Sequence, residues 1–213
     1  ETLSEHRPND AVLSEEAADD SNRITADRVW IIDPLDGTQE YSEFDRADWA
    51  VHIALWERKD ADGKPSDDGS ITQAAVALPA YNMTLSTHQL PKTPDRHEGK
   101  PRLVVSRNRA TREAVIVAEA LDCDVARLGS AGAKAMAVVL GEVDIYVHAG
   151  GMYQWDSAAP IAVAAAAGLF TSRIDGTPLI YNRRDAWLPD LVVCQQHLAQ
   201  QVIDALRAGR LGA

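Results

Sequence analysis

The chain has 213 residues, 46% of them hydrophobic, enough for one large core or two small units that share one. Its formal net charge of −11 excludes the basic footprint that DNA and RNA demand, so no nucleic acid polymer is expected as a partner. No apolar run approaches the roughly 20 residues of a spanning helix and no signal-like start is visible, so no membrane partner is expected.

Ala11-Val12-Leu13 is a short apolar segment closed by Ser14 and an acid pair, Glu15-Glu16. The apolar run 29–32 predicts a buried strand that ends in Asp33-Pro34-Leu35-Asp36-Gly37-Thr38. Two carboxylates at a strand end suit hard cations such as magnesium. Gly37 and Thr38, where a helix can open, would offer free amides to a phosphate. Metal and anion sites side by side suggest metal-assisted phosphoryl chemistry. Taken singly, Asp-Gly reads equally well as a turn.

Residues 49–56 alternate, which places Val51, Ile53 and Leu55 on one face of a strand. His52 falls on the opposite face, with no partner at metal-ligand spacing. Residues 59–70 read as a hairpin-type loop, and 74–78 and 83–86 as strands. Helices are scarce here, so antiparallel pairing is expected. A polar, Pro-bearing linker at 90–101 separates this antiparallel half, residues 1–98, from an α/β half, residues 99–213.

In the second half a strand at 103–105 precedes Arg107 and a helix at 110–121. A short strand at 125–128 follows. Gly129-Ser130-Ala131-Gly132-Ala133-Lys134 then opens a helix over 133–140. A strand at 143–147 leads to His148. After Trp155, Asp156 opens an Ala-rich helix through 167, where it is as good an N-cap as a ligand. Strands at 169–174 and 191–194 flank a loop with Tyr181, and a helix at 198–208 closes the chain. Cys123 and Cys194 sit in or beside apolar elements, which favours reduced buried thiols and a cytoplasmic location.

Glu15-Glu16, Asp33 to Thr38 and Trp155-Asp156 together resemble the three signature segments of the inositol monophosphatase superfamily, from about residue 10 to the end. The resemblance implies an α+β or α/β fold, a layered α-β-α-β-α sandwich. Only 14 residues precede Glu15, so the N-terminal helical part of that fold is expected to be missing. It implies lithium-sensitive phosphatase activity with two or three Mg2+ ions, held by Glu15, Asp33, the Leu35 carbonyl, Asp36 and Asp156. Glu15, Thr38 and Asp36 would be catalytic, with Thr38 and Glu15 on the attacking water. The Gly37 and Thr38 amides would hold the scissile phosphate.

Gln39-Glu40-Tyr41 and Ala149, where inositol monophosphatases usually carry Glu, tilt the resemblance towards bisphosphate nucleotidases of the actinobacterial kind. Arg107, Ser130, Lys134, His148, Asp156 and Tyr181 are then substrate-side candidates, beside Gly37 and Thr38. The implied substrate is a small phosphorylated nucleotide, 3'-phosphoadenosine 5'-phosphate, which loses its 3'-phosphate. Inositol and fructose bisphosphate phosphatases are the alternatives, as is a non-catalytic metal- or nucleotide-binding chain. A homodimer is a further implication.

Overall fold

The computed structural model describes residues 2–91 and 98–211, so residues 92–97 of the predicted linker lie outside the described residues. The first sheet takes its strands in chain order: β1 (Ala11–Ser14), β2 (Arg28–Asp36), β3 (Ala50–Lys59), β4 (Pro65–Leu78) and β5 (Met83–Ser86). The second is built from β6 (Arg102–Ser106), β7 (Asp124–Leu128), β8 (Ile145–Tyr153), β9 (Phe170–Ser172) and β10 (Trp187–Cys194), in the order β7-β6-β8-β10-β9. The helices are α1 (Thr2–His6), α2 (Thr38–Ser42), α3 (Arg112–Ala120), α4 (Ala131–Val139), α5 (Gln154–Ala166) and α6 (Ala199–Leu211).

Pairing from β2 to β5 is antiparallel, as the pattern predicts. β1 departs from it and runs parallel to β2, with Leu13 opposite Ile31. Residues 15–27, which include a 3-10 turn at Ser21–Ile24, supply the crossover that a parallel pair needs. The loop expected over 59–70 contracts to a turn, because β4 starts at Pro65. Asp60 fixes that turn by accepting from the Asp62 and Lys64 amides, both at 2.9 Å.

α4 and α5 lie between the sheets. One core cluster joins Leu13, Ile31 and Val76 of the first sheet to Met136 and Val138 of α4, Val163 of α5, and Val104 and Leu191 of the second sheet. The other face of the second sheet, Leu103, Ile145 and Val192, packs on Val117 of α3 and Val202 and Leu206 of α6. The layers thus run sheet, helices, sheet, helices. The alanines of α5 explain the close fit: Ala158, Ala159 and Ala164 are fully buried, and small side chains let a helix sit tightly between sheets. Both cysteines are free thiols, Cys194 buried and Cys123 half-buried.

Candidate active site

β2 carries two carboxylates to the layer of α4 and α5. Alternation buries Val29, Ile31 and Asp33 on one face. The pairing with β3 is irregular between Asp33 and Asp36, and this lets Asp36 turn inward as well. Asp33 is 1% exposed, and its Oδ1 accepts from the Leu35 amide at 2.9 Å. Asp36 accepts from the Ala131 amide at 3.2 Å and the Gly132 amide at 2.6 Å. These are the first free amides of α4, where a helix favours negative charge. Gly37 has φ of 88°, a left-handed conformation that turns the chain into α2. Thr38 Oγ1 donates to the Leu35 carbonyl at 3.3 Å, while Thr38 itself is exposed. Glu15 is exposed in the turn that follows β1.

Asp156 comes from the other side. α5 begins at Gln154, two residues before the sequence suggests, so Asp156 sits inside its first turn. Its Oδ2 accepts from the Tyr153 amide at 2.7 Å, the reciprocal half of a cap.

Burial and the neighbouring Asp36 push the Asp33 carboxyl up to about 7, with Glu15 adding to the repulsion. Burial pushes Asp156 up to about 6, against the Tyr153 amide and with Asp36 and Glu15 again repelling. Burial also works against Asp36, but His52 and the Gly132 amide outweigh it and hold that carboxyl below its usual range. The four acids therefore share one electrostatic neighbourhood. Among the described residues, however, no three His, Cys, Asp or Glu side chains converge as a ready metal cage. Asp36 is engaged by His52 and α4, and Asp156 by the Tyr153 amide. A carboxylate oxygen that accepts one hydrogen bond keeps a lone pair for a cation.

His52 was missed by the sequence pattern. Val51, Ile53 and Leu55 face away from α4 and α5, with Ile53 36% exposed but Leu55 covered at 5%, while Ala50, His52, Ala54 and Trp56 face the core. The alternation is right, but the His face is the buried one, and His52 is 0% exposed. It stands opposite Asp33 in the β2–β3 register. Its Nε2 is 3.2 Å from Asp36 Oδ2, close enough for an ion pair though short of hydrogen-bond geometry. Its Nδ1 donates to the Trp155 carbonyl at 3.1 Å. Gly132 makes room for the ring, since a Cβ there would come within 2.1 Å of Nε2. The available signal was the two-residue period that carries His52 to the same face as small Ala50 and Ala54.

Ser130 is the N-cap of α4, and its Oγ accepts from the Ala133 amide at 2.8 Å. A Cβ on Gly37 would lie 2.9 Å from Ser130 Cβ, so the starts of α2 and α4 meet. Lys134 is buried, and its Nζ donates to the Gly129 carbonyl and, at 2.8 Å, to the Ser130 carbonyl. Burial pushes the Lys134 ammonium down to about 8, against the pull of Asp36, Glu40, Asp48 and Asp156. Asp48, unremarked in the sequence, accepts from the Gly129 amide at 2.6 Å and so fixes this turn. His148 Nε2 is 3.0 Å from the Gly151 carbonyl. Tyr181 is buried, and its hydroxyl donates to Ser157 Oγ at 3.3 Å. Arg107 is held by Glu43 and, at 3.3 Å, by Glu40. Ala149 is half-buried on β8, opposite Asp190.

A second polar network lies behind α5. Arg23, 1% exposed, donates to Asp19, to Asn182 Oδ1 at 2.9 Å and to the Arg183 and Arg184 carbonyls. Gln154 accepts from the Asn182 amide at 2.6 Å. The network ties the crossover after Glu15 to the first turn of α5, which carries Asp156.

The sequence model of the inositol monophosphatase family matches residues 1–209. A Mycobacterium tuberculosis protein named 3'-phosphoadenosine 5'-phosphate phosphatase is 50% identical over 207 residues, 96% of this chain and 76% of that protein. A Mycobacterium leprae protein of the same name is 48% identical over 211 residues, again 96% and 76%. The crystal structure of inositol monophosphatase-II from Staphylococcus aureus superposes with a TM-score of 0.76 at 20% identity, over 96% of this chain and 79% of that one.

Proposed function

This chain belongs to the inositol monophosphatase family, and from that premise we propose that it is a magnesium-dependent phosphatase that converts 3'-phosphoadenosine 5'-phosphate to AMP and phosphate. The observation that carries the substrate is the 50% identity, across nearly the whole chain, to a relative named for that activity. The acidic neighbourhood supports the metal. Its donors are all oxygen, which suits magnesium. Asp33 and Asp156 hold raised pKa values through burial and the repulsion of Asp36 and Glu15, so a cation beside them would relieve both.

In this reading Glu15, Asp33, the Leu35 carbonyl, Asp36 and Asp156 would hold two or three Mg2+ ions. When bound, these supply Lewis-acid charge at the phosphate and make hydroxide available near neutral pH. The chain's own groups do the rest. The Gly37 and Thr38 amides hold the scissile phosphate, and Thr38 and Glu15 orient the attacking water. Phosphoryl transfer asks mainly for such positioning and charge neutralisation. Ser130, Lys134, His148 and Tyr181 shape the nucleotide side from the α4, β8 and 178–182 segments. Arg107 reaches a second phosphate only by leaving Glu40 and Glu43. Ala149 offers no hydrogen bond to an inositol hydroxyl, and a site without that bond loses its means of selecting inositol. Lithium sensitivity, a cytoplasmic location and a homodimer complete the reading and rest on the resemblance.

The test is phosphate release from 3'-phosphoadenosine 5'-phosphate, inositol 1-phosphate and fructose 1,6-bisphosphate, with magnesium and with EDTA. Magnesium-dependent release mainly from the nucleotide is expected. Faster release from inositol 1-phosphate would replace the substrate assigned here, and release in EDTA would remove the metal.

A further inference from the structure

His52 touches every strand or helix that carries a candidate metal carboxylate inside the fold. By register it is the cross-strand neighbour of Asp33. Through Nε2 it meets Asp36 at 3.2 Å, and through Nδ1 it meets the carbonyl of Trp155, the residue before Asp156, at 3.1 Å. These contacts fall on two segments of different layers, β2 of the first sheet and α5 between the sheets. No backbone ladder joins β2 to the first turn of α5. The imidazole is a rigid plate with a nitrogen at each end, and it spans that gap.

The ring is fixed on its own account. It is fully buried. Gly132 at the start of α4 presses against it, with no room for a side chain there. The Gly132 amide in turn donates to the same Asp36 oxygen that faces Nε2. Asp36 Oδ2 is thus held from two directions, by β3 through His52 and by α4 through its backbone.

We infer that His52 is a positioning residue, which sets Asp36 and the Trp155-Asp156 segment in register so that carboxylates from β2 and α5 address the same cations. The inference rests on the metal site of the proposed function. Groups that orient ligands from behind commonly matter about 10- to 100-fold in metal affinity or activity. His52 would act through Asp36 and Asp156 and would not itself touch metal or substrate.

The experiment is a calorimetric titration of the metal-free full chain with Mg2+ alone, for wild type, His52→Asn and His52→Gln, beside melting in EDTA. Asn places an amide near the Nδ1 position and keeps the Trp155 contact without reaching Asp36. Gln extends an amide towards Asp36 and gives up the Trp155 contact. The expected result is a Kd for Mg2+ at least about tenfold weaker in His52→Asn. The variant should keep its nucleotide KM within about twofold at saturating magnesium, with the loss falling on kcat. If His52→Asn does not fold, His52→Gln is held to the same tenfold criterion. A merely structural histidine would lower the melting temperature in EDTA and leave the Kd within about twofold of wild type, and that result overturns the inference. Wild-type phosphate release without magnesium uptake would overturn it together with the metal site, while leaving the phosphatase activity standing.

Discussion

Asp33 combines near-complete burial, a like-charged neighbour at Asp36 and one amide donor. Asp33 and Asp156 titrate above their ordinary value of 3.8, at about 7 and about 6. Between pH 4 and 7 these two groups therefore hold more protons in the folded chain than in the unfolded one. Stability in EDTA should be greatest at the acid end of that window and fall as pH rises through it. Asp33→Asn should flatten this fall, as followed by calorimetric melting from pH 5 to pH 8. At pH 8 the variant should melt higher, by about 3 °C for each kcal/mol of relieved repulsion in a chain of this size. Phosphate release by the same variant should drop to background, because the lost charge is one a cation needs. A variant that melts as wild type does and still turns over would take Asp33 out of the site.

At the scale of elements, α4 starts with Ser130 as its cap and ends its first turn on Lys134. Ser130→Ala removes one cap, a cost of about 1 kcal/mol, so melting should fall by about 3 °C. A nucleotide KM that stays within twofold assigns Ser130 to the cap, and a raised KM with unchanged melting assigns it to the substrate. Most elements were legible because their cues are local. The branched run of β2, the alanines of α5 and the Gly-Ser opening of α4 each announce themselves. The acid-bearing motif was legible for the same reason, being short and contiguous. The parallel setting of β1 was not, since it depends on how residues 15–27 cross over. Nor was the inward face of β3: alternation gives the period, but which side is buried depends on α4 and α5, far along the chain. His52 went unread for that reason. Arg107 and Lys134 read as available cations, but the fold brings Glu40 and Glu43 to Arg107, and the turn before α4 folds the Gly129 and Ser130 carbonyls onto Lys134.

At the scale of the molecule, the acids gather where β2 and α5 meet across a shared core, so a cation there would couple to global stability. Magnesium at about 100 times its Kd should stabilise the chain by about 2.7 kcal/mol, which corresponds to a melting shift of about 5–10 °C. Asp156→Asn should abolish most of that shift in a thermal melt with and without magnesium. An undiminished shift would mean the ion binds elsewhere. The contact of His52 with Gly132 has a consequence for how such a sequence can drift over generations. Alanine at 132 is blocked while the ring is present, because its Cβ would stand 2.1 Å from Nε2. A smaller residue at 52 removes that clash and leaves Ala50 Cβ, at 3.0 Å, as the tightest neighbour of an alanine at 132. Between the two pairings only one order of single steps is passable, position 52 before position 132. Two sites eighty residues apart in the chain are therefore coupled through one contact.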